Sequence, residues 1–170
     1  QYDAKSSMAY MKMEMSKKEE VEKKIKELLK AMTLEEKAGQ LTQVTHSALL
    51  DYSIRTEDGS PGDAFSLDTA KMVRLIKEHH IGTFLNGIAV SPEVWYAYSS
   101  AIQRINLRHN RHGIPIIYGM DHMHGANYVD NSTIFPHSIN IGATFQPQFA
   151  KDDAVVTSIE SVALGHHWNF

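Results

Sequence analysis

The sequence predicts an α/β fold of short parallel strands alternating with amphipathic helices, and three observations predict it. Apolar residues recur at helical spacing in several separate stretches. Between these stretches lie short apolar runs ended by glycine. From about residue 81 the two patterns alternate as strand, helix, strand, helix, strand, the order of parallel βαβ units. Such strands need a neighbour on each side and cover on both faces. Three strands leave two raw edges, and a closed eight-stranded barrel takes about 250 residues. The 170 residues are therefore expected to form an incomplete (β/α)8 TIM-type barrel. It would hold the first two to three parallel strands with flanking helices and an N-terminal helical segment.

Residues 1–15 are polar and Met-rich, with Met8, Met11, Met13 and Met15, and are expected to be a flexible N-terminal arm. The barrel portion is placed at 16–170. Val21, Ile25, Leu28, Leu29 and Met32 lie on one face of a 3.6-residue period, so a helix is expected from about Ser16. Thr33 has the character of an N-cap, with Glu35 and Glu36 in the first turn of a second helix running from Leu34 to about Thr42. Residues 51–66, with Asp58-Gly59 and Pro61-Gly62, form a turn-rich loop. A helix over about Asp68–His80 leads into a strand from Ile81 that Gly87 ends. Ser91-Pro92-Glu93 starts the next helix, whose buried face would be Val94, Tyr98, Ala101, Ile102 and Ile105. A strand from Ile114 to Tyr118 follows, then a long loop to about Gln146. The last helix, about Pro147–Leu164, would bury Phe149, Val156, Ile159 and Ala163, and a third strand would begin at His167.

Composition narrows the class. An apolar fraction of 42% and a charged fraction of 22% are those of a globular chain. The net charge of -3, without a basic stripe, gives no reason to expect nucleic acid. No apolar run approaches the roughly 18–20 residues that span a bilayer, so no membrane partner is expected. The absence of cysteine removes disulfides and thiolate metal sites, and no cofactor is expected. A chain beginning at Gln1 without a basic-then-apolar leader suits a processed secreted protein and a trimmed sequence equally; the expected location is periplasmic or secreted.

Chemistry gathers where parallel strands end. The strand from Ile114 runs into Gly119-Met120-Asp121-His122-Met123-His124-Gly125. An ionised carboxylate there accepts hydrogen bonds only and can hold two adjacent sugar hydroxyls at once. Read from the residues alone, Asp121 is equally compatible with a structural carboxylate capping a turn. Gly119 and Gly125 would let the backbone turn sharply and approach a ligand.

This segment resembles the Gly-x-Asp-x-x-His-Gly motif of glycoside hydrolase family 3, many of whose members are β-glucosidases. Here it stands as Gly119, Asp121, His124 and Gly125, preceded by Gly113-Ile114-Pro115. The stretch from Met32 to Leu41, Phe135-Pro136, Ala143-Thr144-Phe145, Glu160 and Trp168-Asn169-Phe170 resemble the same family in the same order. The resemblance implies that Asp121 binds hydroxyls of the sugar in subsite −1 and that His124 supports the loop; a packed, hydrogen-bonded histidine remains an open reading of His124. It also implies a parent enzyme that cleaves terminal β-D-glucosyl or related residues from β-glucosides or oligosaccharides with retention of configuration. Retention needs two carboxyl groups about 5–5.5 Å apart. In this family the nucleophile is an Asp on a later strand, and the acid/base usually comes from a following domain. No catalytic residue is therefore expected in this chain, which would be inactive alone. Its partners would be the rest of its barrel and a C-terminal domain.

Two other readings fit the same residues. His122-Met123-His124 is a His-x-His at a strand end, like the metal-ligand pair of amidohydrolase-type barrels, and Asp121 could add an oxygen for a metal-dependent hydrolase. Against this, no second histidine pair stands at another strand end; His79-His80 and His166-His167 are sequence neighbours whose side chains diverge on a helix. The non-enzymatic alternative is a sugar-binding fragment without turnover.

Overall fold

The structure, a computed structural model, describes the backbone of residues 4–51 and 66–170, with side chains from residue 16 onward within those stretches. Most of the turn-rich loop, including Asp58-Gly59 and Pro61-Gly62, lies outside the described residues.

The chain opens with α1 (Ala4–Ala31). Helical backbone thus begins well before Ser16, within the stretch expected as an arm. The predicted apolar face of α1 is not buried: Val21, Ile25 and Leu29 are exposed among the described residues, and burial starts only at Met32. A stripe of this kind needs a partner surface, and the described residues supply none. α2 (Leu34–Gln40) begins as expected. The Thr33 hydroxyl accepts from the Glu36 amide, while the Glu36 carboxylate accepts from the Thr33 amide. This capping box contributes about 1 kcal/mol.

Next come β1 (Gln43–Thr45), α3 (Thr69–Lys77), β2 (Thr83–Leu85), α4 (Pro92–His109), β3 (Ile117–Met120), the short α5 (Ser138–Ala143), α6 (Pro147–Ala163) and β4 (Trp168–Asn169). The strands form one sheet in the order β1-β2-β3-β4, every pair parallel. Sequential order with helical crossovers is the winding of a (β/α) barrel wall. The sheet therefore holds a strand, β1, beyond the two or three expected. Its Gln-Val-Thr carries no apolar run to announce it.

Helices cover one face of this sheet. Phe84 of β2 and Tyr118 and Met120 of β3 are buried there with Met72 and Ile76 of α3 and Trp95, Tyr98 and Ile102 of α4. Trp95, fully buried, is the hub. Its ring meets Tyr98, Tyr118 and His166 edge-on at centroid distances of 6.0, 5.7 and 4.5 Å, and its indole N–H donates to the Tyr128 carbonyl at 2.7 Å. Such contacts add to area burial by about 0.5–1.5 kcal/mol each.

Two predicted helix faces need correction. In α4 the buried set is Trp95, Tyr98, Ser99, Ile102 and Asn106, while Val94 is exposed; the true face is rotated toward Trp95, the largest side chain in the helix. In α6, Phe149, Ile159 and Ala163 are exposed and the buried residues are Thr157 and Ser161. The helix meets the chain through polar contacts, such as the Glu160 carboxylate accepting from the Thr133 amide and hydroxyl. Of its predicted apolar face only Val156 is partly buried.

Candidate functional site

β3 delivers its last residue, Met120, into the segment Asp121–Gly125. Asp121 is therefore at the carboxyl end of a parallel strand, half-buried. Its carboxylate makes no hydrogen bond or ion pair with the described residues. A strand-end carboxylate that no described residue engages has acceptor sites open to a ligand on that side.

Its neighbour His122 turns to the covered side and is buried. Its Nε2 lies 3.3 Å from Nδ1 of His166, also buried, so one ring donates and the other accepts. Burial pushes the His122 imidazole down to about 4, against the pull of the adjacent Asp121 charge. Burial, then the neighbouring His122 and His167, pushes His166 down to about 3. Both rings are neutral near pH 7. His124 sits apart from this pair, its ring 4.2 Å from that of His137. The two imidazoles of the His-x-His thus engage different neighbours rather than converging. Among the described residues no group of three His, Cys, Asp or Glu side chains could hold a metal. His79 and His80 lie at the opposite end of the strand layer, just before β2.

The glycines differ in what they do. Gly125 has φ +90°, and a Cβ there would run into the Thr133 carbonyl oxygen, so the sharp turn expected of it is present. Gly119 lies inside β3 and is not a turn residue. A Cβ on it would stand 2.6 Å from Cζ of Phe170 and 3.2 Å from Nε2 of Gln43. Its role in the structure is to admit the Phe170 ring over the strand. The loop closes on itself through the His124 carbonyl, which accepts from the Phe135 amide.

Two residues around this loop were not picked out as site residues from the sequence. His166, read there as half of a divergent pair, is buried against His122 because it lies past the end of α6, in the approach to β4. Asn169 grips the backbone of His122; only the pairing of β3 with β4, which a single sequence does not reveal, brings these two together.

The sequence pattern of the glycosyl hydrolase family 3 N terminal domain matches residues 33–170. A lysosomal beta glucosidase of Dictyostelium discoideum is 35% identical over 153 residues, which is 84% of this chain and 17% of the relative. Among solved structures, an exo-1,3/1,4-beta-glucanase from a Pseudoalteromonas species superposes with a TM-score of 0.62 at 25% identity, covering 88% of this chain and 17% of that one. A beta-N-acetylhexosaminidase from Beutenbergia cavernae, with a TM-score of 0.57 at 18% identity over 82% of this chain and 37% of its own, shares the fold. The chain spans less than a fifth of the length of the curated relative it matches. With the parallel sheet, the strand-end segment and a match over residues 33–170 in agreement, this chain belongs to the glycosyl hydrolase family 3 N-terminal domain family.

Proposed function

We propose that this chain builds the opening wall of the barrel of a β-glucosidase-type enzyme and that Asp121 binds hydroxyls of the sugar in subsite −1. The observation that carries the reading is the position of Asp121: directly past the carboxyl end of β3, with its carboxylate unengaged by the described residues. Strand alternation supports it. Tyr118 and Met120 are buried under the helices, whereas Ile117 is exposed and Gly119 is covered from the other side by Phe170. Continued one residue further, the alternation aims Asp121 at the uncovered face, which in a closed barrel is the lumen.

The chemistry follows from that placement. A carboxylate fixed at the lumen accepts two hydrogen bonds from adjacent hydroxyls, and these charge-assisted bonds set the ring's height and orientation. Cleavage with retention needs a carboxylate to attack the anomeric carbon while a second carboxyl group protonates the departing oxygen; water then releases the sugar. Both groups would come from the rest of the protein, so this chain supplies binding and positioning. Its partners are the β-glucoside or oligosaccharide substrate, the remainder of the barrel and a C-terminal domain. A secreted, periplasmic or lumenal setting fits, since the curated relative is lysosomal.

The test is kinetic. The full-length protein should hydrolyse an aryl β-glucoside, with the β-anomer released first by NMR. Asp121→Ala should lower kcat/KM by about 30- to 1,000-fold, equivalent to about 2–4 kcal/mol. Native kinetics in that variant would remove Asp121 from the site.

A further inference from the structure

We infer that Asn169 is a positioning residue whose side-chain amide fixes the direction in which Asp121 leaves β3; this rests on the proposed role of Asp121. The Asn169 Oδ1 accepts from the His122 amide at 2.9 Å, and its Nδ2 donates to the His122 carbonyl at 3.1 Å. One side-chain amide thus pairs with both backbone groups of a single residue, as a neighbouring strand would.

What makes this a device for residue 121 is its place in the ladder. Just before Asp121, the Phe170 amide donates to the Met120 carbonyl at 3.2 Å. Just after it, Asn169 holds His122. The peptide units on both sides of Asp121 are therefore pinned to the end of β4, although the regular pairing of the two strands stops at Met120 and Asn169. Two adjacent residues provide the hold: the backbone of Phe170 and the side chain of Asn169. The opposite end of β3 is held the same way. There the Gln103 amide of α4 donates to the Ile116 carbonyl at 2.7 Å and accepts from the Ile116 amide at 3.1 Å. The strand is clamped at its entry by one amide and at its exit by another.

A carboxylate that must meet two hydroxyls of one ring tolerates little displacement; an error of about 1 Å in a reacting site can cost on the order of 100-fold in rate. Removing the Asn169 amide releases the 121–122 peptide without touching Asp121 itself. The loss should therefore appear only while Asp121 is present to be positioned.

The experiment is a double-mutant cycle in the full-length protein with an aryl β-glucoside, using Asn169→Ala and Asn169→Asp, each alone and with Asp121→Ala. The aspartate variant keeps the acceptor and the shape but puts an acceptor where the His122 carbonyl needs a donor, so it serves where the alanine variant does not fold. Expected is a fall in kcat/KM of about 10- to 100-fold in the native background and less than about twofold in the Asp121→Ala background, the signature of two groups acting as one. Equal losses in both backgrounds, or no loss in the first, would overturn the positioning role and leave that of Asp121 standing. An Asp121→Ala variant with native kinetics would remove both.

Discussion

The loop that carries the candidate binding residue depends on a backbone only glycine adopts comfortably. Gly125 holds φ +90° with the Thr133 carbonyl pressed against the space of its missing side chain. Gly125→Ala combines an unfavourable φ with a collision against backbone, and such strain costs on the order of 1–3 kcal/mol. Denaturant unfolding of the full-length variant should show that loss, together with a lower kcat/KM, because His124 and Phe135 are joined across the same turn. A variant as stable and as active as the native protein would show that the loop does not rely on this turn. Gly119 teaches a different lesson. Its motif position suggested a turn next to a ligand, whereas it serves as a slot for the Phe170 ring. A motif states which residue stands at a position; only the neighbours from other strands state why.

At the scale of elements, two polar clusters set how stability should respond to acid. Glu36 of α2 accepts from the Arg111 guanidinium, from the Thr33 amide and pairs with His112, which ties α2 to the turn before β3. The Arg111 hydrogen bond, followed by that of the Thr33 amide, holds its carboxyl well below the ordinary 4.5. Its contribution is therefore complete above pH 4.5 and fades as pH falls below it. Glu36→Gln should lower the melting temperature of the full-length protein at pH 7, with the gap to the native protein narrowing below pH 4.5; a gap independent of pH would contradict an ion pair there.

The His122–His166 pair works in a higher window. Both imidazoles are depressed from 6.5, to about 4 and about 3. Below pH 6.5 the unfolded chain takes up protons that the fold refuses, so stability falls from pH 6.5 down to about 4 for His122 and about 3 for His166, at no more than about 1.4 kcal/mol per pH unit for each ring. His166→Phe, which keeps an aromatic ring against Trp95, should flatten that limb; an unchanged slope would place the titration elsewhere. Of these elements the sequence made legible what is local: the Thr33 and Ser91 caps are where their residue types put them. The rest depended on contacts between distant residues. β1 is three residues paired to β2, too short and polar to carry a pattern. The face of α4 is decided by where Trp95 finds the Tyr128 carbonyl, and that of α6 by the Glu160–Thr133 tether, neither of which periodicity records.

For the molecule as a whole, one face of the sheet is packed and the other is open. Trp95, buried beneath β3 and beside His166, anchors the packed face, and Trp95→Ala should cost about 3–5 kcal/mol in denaturant unfolding. On the open face Ile117, Trp168 and Phe170 stand exposed, and β1 and β4 each have a strand on one side only among the described residues. This is what the fold class implies for a partial barrel wall, and it is why alternation of strands and helices was legible from the sequence while closure was not. The isolated 170 residues should release no product from an aryl β-glucoside above buffer background; turnover lost on Asp121→Ala would place the chemistry within them. The proposed function requires the carboxylate of Asp121 to face a sugar. A crystal structure of the full-length protein with glucose bound tests it most directly. Both Asp121 oxygens should lie about 2.5–3.0 Å from two adjacent hydroxyls of the ring. A carboxylate turned into packed protein, or bound to a metal together with His122 and His124, would contradict it.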